Sequence, residues 1–335
     1  MTEAHEPGSH LKATLEGQPA QLTRLLDDKD SAARAAARLR GSHRVFLVGT
    51  GTSFHGALVG QFMLRSVGVD AWAVRAFEFA NYPPALRADD GMILLSHRGS
   101  KRFSRGALDV FAAISERWIA ITGESSPMEG DGVLHTVAQE KSPVHTASHT
   151  AAMLRIAQVA VAIGEPTWRE QLSELPREVQ RAVDTGDAIA EQVHDVEFRP
   201  VTHFVGGGPA RASALEGALK LREATHVVSA EGHDVEGILH GPLVSVGPAT
   251  PVVLVDRPGP SAKRMSEVES ALHEIGATVI SFPSTTELDE VLAPIVNVVP
   301  LQWLAYHVSR RVGVDADSFR SDEAKYAAAQ SKFTL

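Results

Sequence analysis

Three charged residues, Glu216, Lys220 and Glu223, have a spacing that suits acid–base chemistry. In a helix, residues three and four positions apart lie on one face, so these side chains would form one stripe of two carboxylates and an ammonium. If the stripe is buried, it is a candidate site for proton transfer. If it faces solvent, it is an ordinary surface salt-bridge pattern that contributes little to stability. The spacing alone leaves both interpretations open.

A short apolar stretch and a run of glycines precede this predicted helix. Residues 202–205 read as a strand, and the glycines at 206–208 as a tight turn. Such a strand, turn and helix offer backbone N–H groups and the positive end of a helix dipole to an anion. The first half of the chain contains the same unit, in which residues 44–48 lead through residues 49–53 into a helical pattern.

Further apolar runs recur in the same order in the two halves. The run around Leu94 returns around Val253, and residues 118–121 return as residues 278–281. The alternation of such runs with helical patterns predicts βαβ units and parallel sheets. The helical patterns lie at residues 105–116, 147–163, 261–274 and 301–312.

We therefore predict an α/β protein of two similar doubly wound, flavodoxin-like parallel-sheet domains, with helical N-terminal and connecting segments. The predicted boundaries are an N-terminal helical segment at 1–40, a first domain at 41–165, a helical connector at 166–197 and a second domain with a C-terminal tail at 198–335.

Length and composition restrict the function further. The 335 residues are 44% hydrophobic, enough for two cores. The absence of cysteine excludes disulfides, thiolate nucleophiles and cysteine-ligated metals. A net charge of -9 argues against nucleic-acid binding. No apolar run approaches the roughly 20 residues of a membrane span, and residues 1–12 are polar, so we expect a cytoplasmic protein that does not bind membranes.

Two segments together resemble a known signature. Residues 214–223 and then residues 240–243, His-Gly-Pro-Leu, are similar to segments of the sugar isomerase (SIS) domain family. The resemblance is to the tandem-domain isomerase half of glucosamine-6-phosphate synthase and to stand-alone aminosugar-phosphate deaminases and phosphosugar isomerases. It spans roughly residues 20 to 335 and implies the SIS fold.

The resemblance implies roles for five residues. Glu223 corresponds to the base that moves a proton between C1 and C2 of the open-chain sugar, and His240 to the ring-opening histidine, which acts across a subunit boundary. We therefore expect a homodimer. Glu216 and Lys220 match supporting charged residues. Lys332, near the C-terminus, matches a lysine that forms a Schiff base with ketose substrate.

The resemblance also implies that the first domain binds the phosphate. The turn Gly49, Thr50, Gly51, Thr52 and Ser53 is similar to the family's first phosphate loop, although a plain tight turn would look the same. The second loop departs from the family pattern because cations replace hydroxyls. Arg98 and Lys101 would either grip phosphate more strongly or select another anion, such as a carboxylate or a larger sugar derivative. The residues predicted to bind in this loop are Ser96, His97, Arg98, Ser100 and Lys101.

A third loop supplies Ser142, His145 and Thr146 as predicted sugar contacts. His145 and His149 have the spacing of two zinc ligands, and Glu140 is near. The fuller His-Glu-x-x-His pattern is absent, and the family's chemistry needs no metal, so we predict neither a metal nor another cofactor.

Three function classes follow. The first is an enzyme that isomerises a phosphorylated sugar or releases ammonia from an aminosugar phosphate, which we favour because Glu223, His240 and Lys332 are all present. The second is a non-catalytic sugar-phosphate-binding regulator, although the about 40 residues before the first strand are too few for a helix-turn-helix domain. The third is an aminotransferase subunit that receives ammonia from a separate glutaminase.

Overall fold

The computed structural model describes residues 6–198, 201–256, 259–284 and 286–334. Contacts among them divide the chain into two compact units. The first unit contains Gly17–Glu140, His145–Pro176 and the tail from Arg320 on. The second unit contains the residues up to Glu16, Lys141–Val144 and Arg177–Phe319.

Helices form much of both units. In chain order they are α1 (Ser9–Glu16), α2 (Gln18–Asp27), α3 (Lys29–Leu39), α4 (Thr52–Arg65), α5 (Ala76–Asn81), α6 (Arg102–Ala112), α7 (Ala147–Ile163), α8 (Leu175–Val183), α9 (Gly186–Val193), α10 (Ala210–Thr225), α11 (Ala262–Ile275), α12 (Ala293–Arg311) and α13 (Ala324–Gln330).

The sheet of the first unit contains β1 (Val45–Gly49), β2 (Ala71–Arg75), β3 (Gly91–Leu95), β4 (Trp118–Thr122) and β5 (Val133–His135). Its order is β2-β1-β3-β4-β5, with every pairing parallel. β1 and β3 are buried at every position, as expected for strands covered by helices on both faces. In this flavodoxin-like order, ligands bind at the carboxyl ends of β1 and β3.

The sheet of the second unit contains β6 (Val201–Gly206), β7 (Ser229–Asp234), β8 (Pro251–Asp256) and β9 (Thr278–Pro283). Its order is β7-β6-β8-β9, again parallel throughout, which matches the first four strands of the other sheet. The prediction of an α/β fold with two parallel sheets and covering helices is confirmed. That the units are repeats of one domain stays a prediction.

One glycine ends the leading strand of each sheet, where a helix starts close by. A Cβ on Gly49 would lie 2.5 Å from the carbonyl carbon of Ser53, and a Cβ on Gly206 would lie 2.4 Å from the carbonyl oxygen of Ala210. Real Cβ atoms do not approach backbone so closely, so both positions require glycine. The two strand, turn and helix units expected from the sequence are therefore formed.

Helices also occupy the terminal and connecting segments. The segment predicted as a connector contains the 3₁₀ helix Arg169–Glu174 followed by α8 and α9. Contacts group α1 with the second unit, and α2 and α3 with the first. The exact domain boundaries stay predictions. Among the residues described, no helix combines the length and apolar character needed to cross a bilayer.

Candidate functional site

The first unit has a small polar cavity where β1 and β3 end. Gly49 closes β1, Thr52 and Ser53 begin α4, and Ser96 and His97 directly follow β3. The cavity has a volume of about 20 Å³, roughly that of one water molecule. Its wall is formed by Thr52, Ser53, Gly56, Leu95, Ser96, His97, Ile121, Thr136, Ser148, His149 and Ala152.

The polar atoms of Ser96 and His97 are buried without protein partners. Within the described chain, Ser96 Oγ and both ring nitrogens of His97 have no hydrogen-bond partner. Leaving such groups unsatisfied costs free energy, so a site of this kind favours a polar ligand or water. The structure thus brings Thr52, Ser53, Ser96 and His97 together at the place where this fold binds ligands.

His97 is an uncharged member of the loop that the sequence marked as cationic. Burial, and then the nearby ring of His145, lowers the pKa of His97 to about 4. The two rings lie 5.3 Å apart between centroids. At neutral pH His97 therefore offers one N–H donor and one acceptor nitrogen rather than a positive charge.

His97 also lines a larger cavity of about 260 Å³. It is lined by Arg98 and Ser100 of the same loop, with Gly123, Ser125, Pro127 and Gln139. Arg98 and Ser100 are exposed and Lys101 is half-buried. The predicted binding loop therefore borders two spaces, a tight polar one and an open one whose charge comes from Arg98.

The third predicted loop contains an internal carboxylate that caps α7. Glu140 is buried, and its Oε2 accepts hydrogen bonds from the Thr146 backbone N (2.9 Å) and the Ala147 N (3.3 Å), while Oε1 accepts one from Ser148 N (2.9 Å). Burial alone would raise the pKa of Glu140, but His145 and these N–H donors outweigh it and lower the pKa to about 2. The positive end of α7 is therefore already occupied by an anion.

This arrangement gives the three predicted sugar contacts other neighbours. The Thr146 hydroxyl donates to Glu140 Oε2 at 3.3 Å, and His145 Nδ1 lies 3.5 Å from Glu140 Oε1. Ser142 belongs to the segment grouped with the second unit, and its Oγ accepts a hydrogen bond from Val144 N. Their role as sugar ligands stays a prediction.

Thr136 was missed by the sequence interpretation. It directly follows β5 and lines the small cavity, as does Ser148 in the first turn of α7. The usable signal was position, since hydroxyls just beyond the carboxyl end of a parallel strand lie on the edge where ligands bind.

The second unit contains the charged stripe on α10, and the stripe is buried. The side chains of Glu216 and Lys220 are 0% and 1% exposed, and that of Glu223 is 23% exposed. Lys220 Nζ lies 3.3 Å from Glu216 Oε1 and 2.7 Å from Glu223 Oε2. Burial acts to lower the pKa of Lys220, but the two carboxylates outweigh it and raise that pKa above its ordinary value. The surface salt-bridge interpretation is wrong for this helix.

Close packing holds α10 in place. A Cβ on Gly217 would come within 2.9 Å of both Phe204 on β6 and Leu301 on α12. The helix therefore lies tightly between the sheet and α12, which explains why the side chains of Glu216 and Lys220 are buried. Glu223 is the member of the stripe that reaches solvent, and it can meet a ligand there.

His240 and Lys332 lie on exposed segments. The His240 side chain is 79% exposed, with Nε2 3.2 Å from Glu236 Oε2. Within the described residues, no hydrogen bond or ion pair joins His240 to Glu223. Lys332 follows α13 and is exposed in the tail grouped with the first unit. The predicted roles of both residues remain untested by this geometry.

Comparison with known proteins identifies a family domain in the first half of the chain. Residues 38–162 match the profile of the family described as "SIS domain". The glutamine–fructose-6-phosphate aminotransferase (isomerizing) of Methanothermobacter thermautotrophicus is 30% identical over 321 residues, covering 90% of this chain and 54% of that protein. The chain thus spans about half the length of this relative.

Solved structures share the fold at lower identity. The C-terminal domain of glucosamine-fructose-6-phosphate aminotransferase from Francisella tularensis superposes with a TM-score of 0.79 at 20% identity, covering 92% of this chain and 98% of that chain. Glucosamine-6-phosphate deaminase from Thermotoga maritima gives 0.78 at 23% identity, with coverages of 92% and 97%. Residues 38–162 therefore match the SIS domain family, and the chain shares the fold of these solved structures.

Proposed function

We propose that this chain is a phosphosugar isomerase or aminosugar-phosphate deaminase. Its substrate would resemble glucosamine-6-phosphate or fructose-6-phosphate, and its reaction would proceed by ring opening and proton transfer between C1 and C2. The observation that carries the proposal is the buried Glu216, Lys220, Glu223 stripe, in which one carboxylate reaches solvent. The names of the similar aminotransferase and deaminase support the same substrate class.

Glu223 is the proposed base. Moving a proton between C1 and C2 requires a group beside the carbonyl that first accepts and then returns the proton, within about 3 Å of the carbon-bound hydrogen's path. Lys220 fixes the Glu223 carboxylate at 2.7 Å, and Glu216 fixes Lys220 from the buried side. Such a chain of contacts limits the rotation of Glu223 and so orients its free oxygen.

The first unit would bind the phosphate or another anionic group. Thr52 and Ser53 at the start of α4 supply hydroxyls beside a helix N-terminus, and Ser96 and His97 supply unpaired polar atoms. Arg98 borders the open cavity next to them and would contribute the positive charge. His240 would open the sugar ring and Lys332 would form a Schiff base with a ketose, as the family resemblance implies.

A non-catalytic sensor is the second candidate. The observation that favours it is the exposure of His240 and Lys332, together with the lack of any hydrogen bond or ion pair between His240 and Glu223 in the described chain. A sensor would need the polar cavity and no assembled acid–base site.

The test supplies the protein with glucosamine-6-phosphate or with ketose phosphates in D₂O. Ammonia release is measured by a coupled assay, and deuterium incorporation at C1 or C2 by NMR. A parallel reaction with fructose-6-phosphate and ammonium detects amine formation, the outcome expected of an aminotransferase subunit. We expect deuterium exchange with the wild type and a loss of about 10²- to 10⁴-fold in Glu223→Gln.

Glu274→Gln provides the matched control, because Glu274 is an exposed glutamate on α11. It should retain full exchange. Binding of the sugar phosphates without any exchange or turnover would reject the enzyme and favour the sensor.

A further inference from the structure

Three side chains with metal-binding atoms converge on neighbouring strands of the second unit. His203 lies on β6, and Glu231 and His233 lie on β7. The parallel register pairs His203 with Glu231 and Val205 with His233. The residues between them face α10, since Phe204 packs near Gly217 and a Cβ on Gly232 would meet Leu215. Because side chains alternate along a strand, the three residues share the opposite face of the sheet.

Their distances are close to those of a metal site. His203 Nδ1 lies 3.1 Å from His233 Nε2, which lies 3.7 Å from Glu231 Oε2. All three ligand atoms fall within 4.8 Å of one another. Ligands held tetrahedrally at 2.0–2.2 Å from Zn²⁺ are roughly 3.3 Å apart, so the carboxylate has to move closer to the two rings.

Burial divides the cluster into a rigid and a movable part. His203 is 4% exposed and the His233 side chain 12%, while the Glu231 side chain is 57% exposed. Burial lowers the pKa of both histidines, in His203 with help from the neighbouring His233. A lowered pKa favours the neutral ring, which is the form of histidine that coordinates metals. The exposed carboxylate leaves the solvent side of the cluster accessible.

A hydrogen bond between two neutral imidazoles would explain the 3.1 Å contact by itself. It would not explain why Glu231 is placed on the same face within reach of both rings. Two imidazoles and one carboxylate form a donor set that suits zinc and leaves a fourth position for water.

We propose that His203, Glu231 and His233 form a binding site for a divalent transition metal of the zinc type. The bound ion would connect β7, at the edge of the sheet, to β6. The site uses none of the residues to which the proposed function gives a catalytic or substrate-binding role, so either proposal can fail without the other.

The test is calorimetric titration of the chelator-treated full-length protein with ZnCl₂. We expect one Zn²⁺ per chain, and at least about 100-fold weaker binding in Glu231→Gln and in His233→Ala, since even residues that only support a ligand contribute 10- to 100-fold. His273→Ala is the matched control. His273 is also a histidine near a carboxylate, 4.0 Å from Glu269, but it is exposed on α11 and should not affect binding.

Thermal unfolding distinguishes the loss of the metal site from a folding defect. Glu231 is exposed, so Glu231→Gln should fold and unfold like the wild type without metal. Zn²⁺ should raise the unfolding temperature of the wild type and His273→Ala but not that of Glu231→Gln. An absence of stoichiometric binding, or binding that survives in both Glu231→Gln and His233→Ala, would overturn the proposal.

Discussion

The polar cavity of the first unit and the charged stripe of the second unit differ in whether their buried polar groups already have partners within the protein. In the cavity, Ser96 Oγ and the ring nitrogens of His97 are buried without protein partners. In the stripe, buried Lys220 is held by carboxylates on both sides. The first arrangement becomes satisfied only when something binds, whereas the second is complete beforehand. On the proposed function, the first unit would bind the ligand and the second unit would hold a preorganised charge.

The largest expected effect on stability comes from removing the lysine of the charged stripe. Lys220→Met removes the cation beside the buried Glu216 carboxylate, which should lower the free energy of unfolding by about 3–5 kcal/mol. Urea denaturation followed by circular dichroism measures this loss. Lys263→Met, at an exposed position on α11, is the control. The double variant Glu216→Gln, Lys220→Met removes both charges and should recover part of the loss. A single variant as stable as the wild type would contradict the comparison.

Glu140 extends the comparison, because it is a buried charge of the first unit that already has its hydrogen-bond partners. Its pKa of about 2 lies below the ordinary value of 4.5. It therefore stabilises the fold by about 3 kcal/mol above pH 4.5, and this contribution disappears as the pH falls from 4.5 towards 2. Glu140→Gln should be less stable at pH 7, and its difference from the wild type should shrink across that pH range. Unfolding curves measured at several pH values check this, and a difference independent of pH would refute it.

Arg98 tests whether the first unit recognises charge. Arg98→Ala should weaken the binding of glucosamine-6-phosphate by roughly tenfold to a hundredfold and leave glucosamine unaffected, because hydrogen bonds to charged groups contribute more than neutral ones. Isothermal titration with both sugars measures the discrimination, and Ser53→Ala should reduce it too. Arg34→Ala, exposed on α3, is the control. If Arg98→Ala and Ser53→Ala both distinguish glucosamine-6-phosphate from glucosamine as well as the wild type does, the phosphate binds elsewhere.

The smallest effect should come from Ser96. Ser96→Ala removes a buried hydroxyl that has no partner in the described chain, so stability should stay unchanged or rise by about 1 kcal/mol while ligand affinity falls. Thr150→Val is the contrasting variant, because the Thr150 hydroxyl donates to Gln18 Oε1 at 2.9 Å, and its loss should destabilise the protein. A destabilised Ser96→Ala would mean that this hydroxyl is structural.

Local sequence patterns predicted the elements well. The pattern at residues 147–163 coincides with α7, and the glycines at 49 and 206 mark the ends of β1 and β6. The pattern at 301–312 located only the end of α12, which begins at Ala293. Pro300 reads as a helix breaker, yet the helix continues through it because its residues are buried on both sides of the proline.

Tertiary placement was less accessible from the sequence. The spacing of Glu216, Lys220 and Glu223 could not reveal whether solvent reaches them, since burial depends on how closely Gly217 packs against β6 and α12. Glu140 was noted only as a neighbour of two histidines, and its role as a cap depends on a loop conformation that no periodicity encodes. His203 and His233 are 30 positions apart and meet only because their strands pair.

The capped end of α7 has a consequence for how the first unit responds to its surroundings. Glu140 is tethered six to eight residues from the N–H groups it accepts, and a short tether gives an effective concentration of millimolar or more. Dissolved anions must compete with the Glu140 carboxylate for the start of α7. The start of α7 should therefore bind no anion from solution, whatever the concentration of anionic metabolites. The first turn of α4 contains no acidic residue. On the proposed function, sugar phosphates would therefore bind at the start of α4 and not at the start of α7.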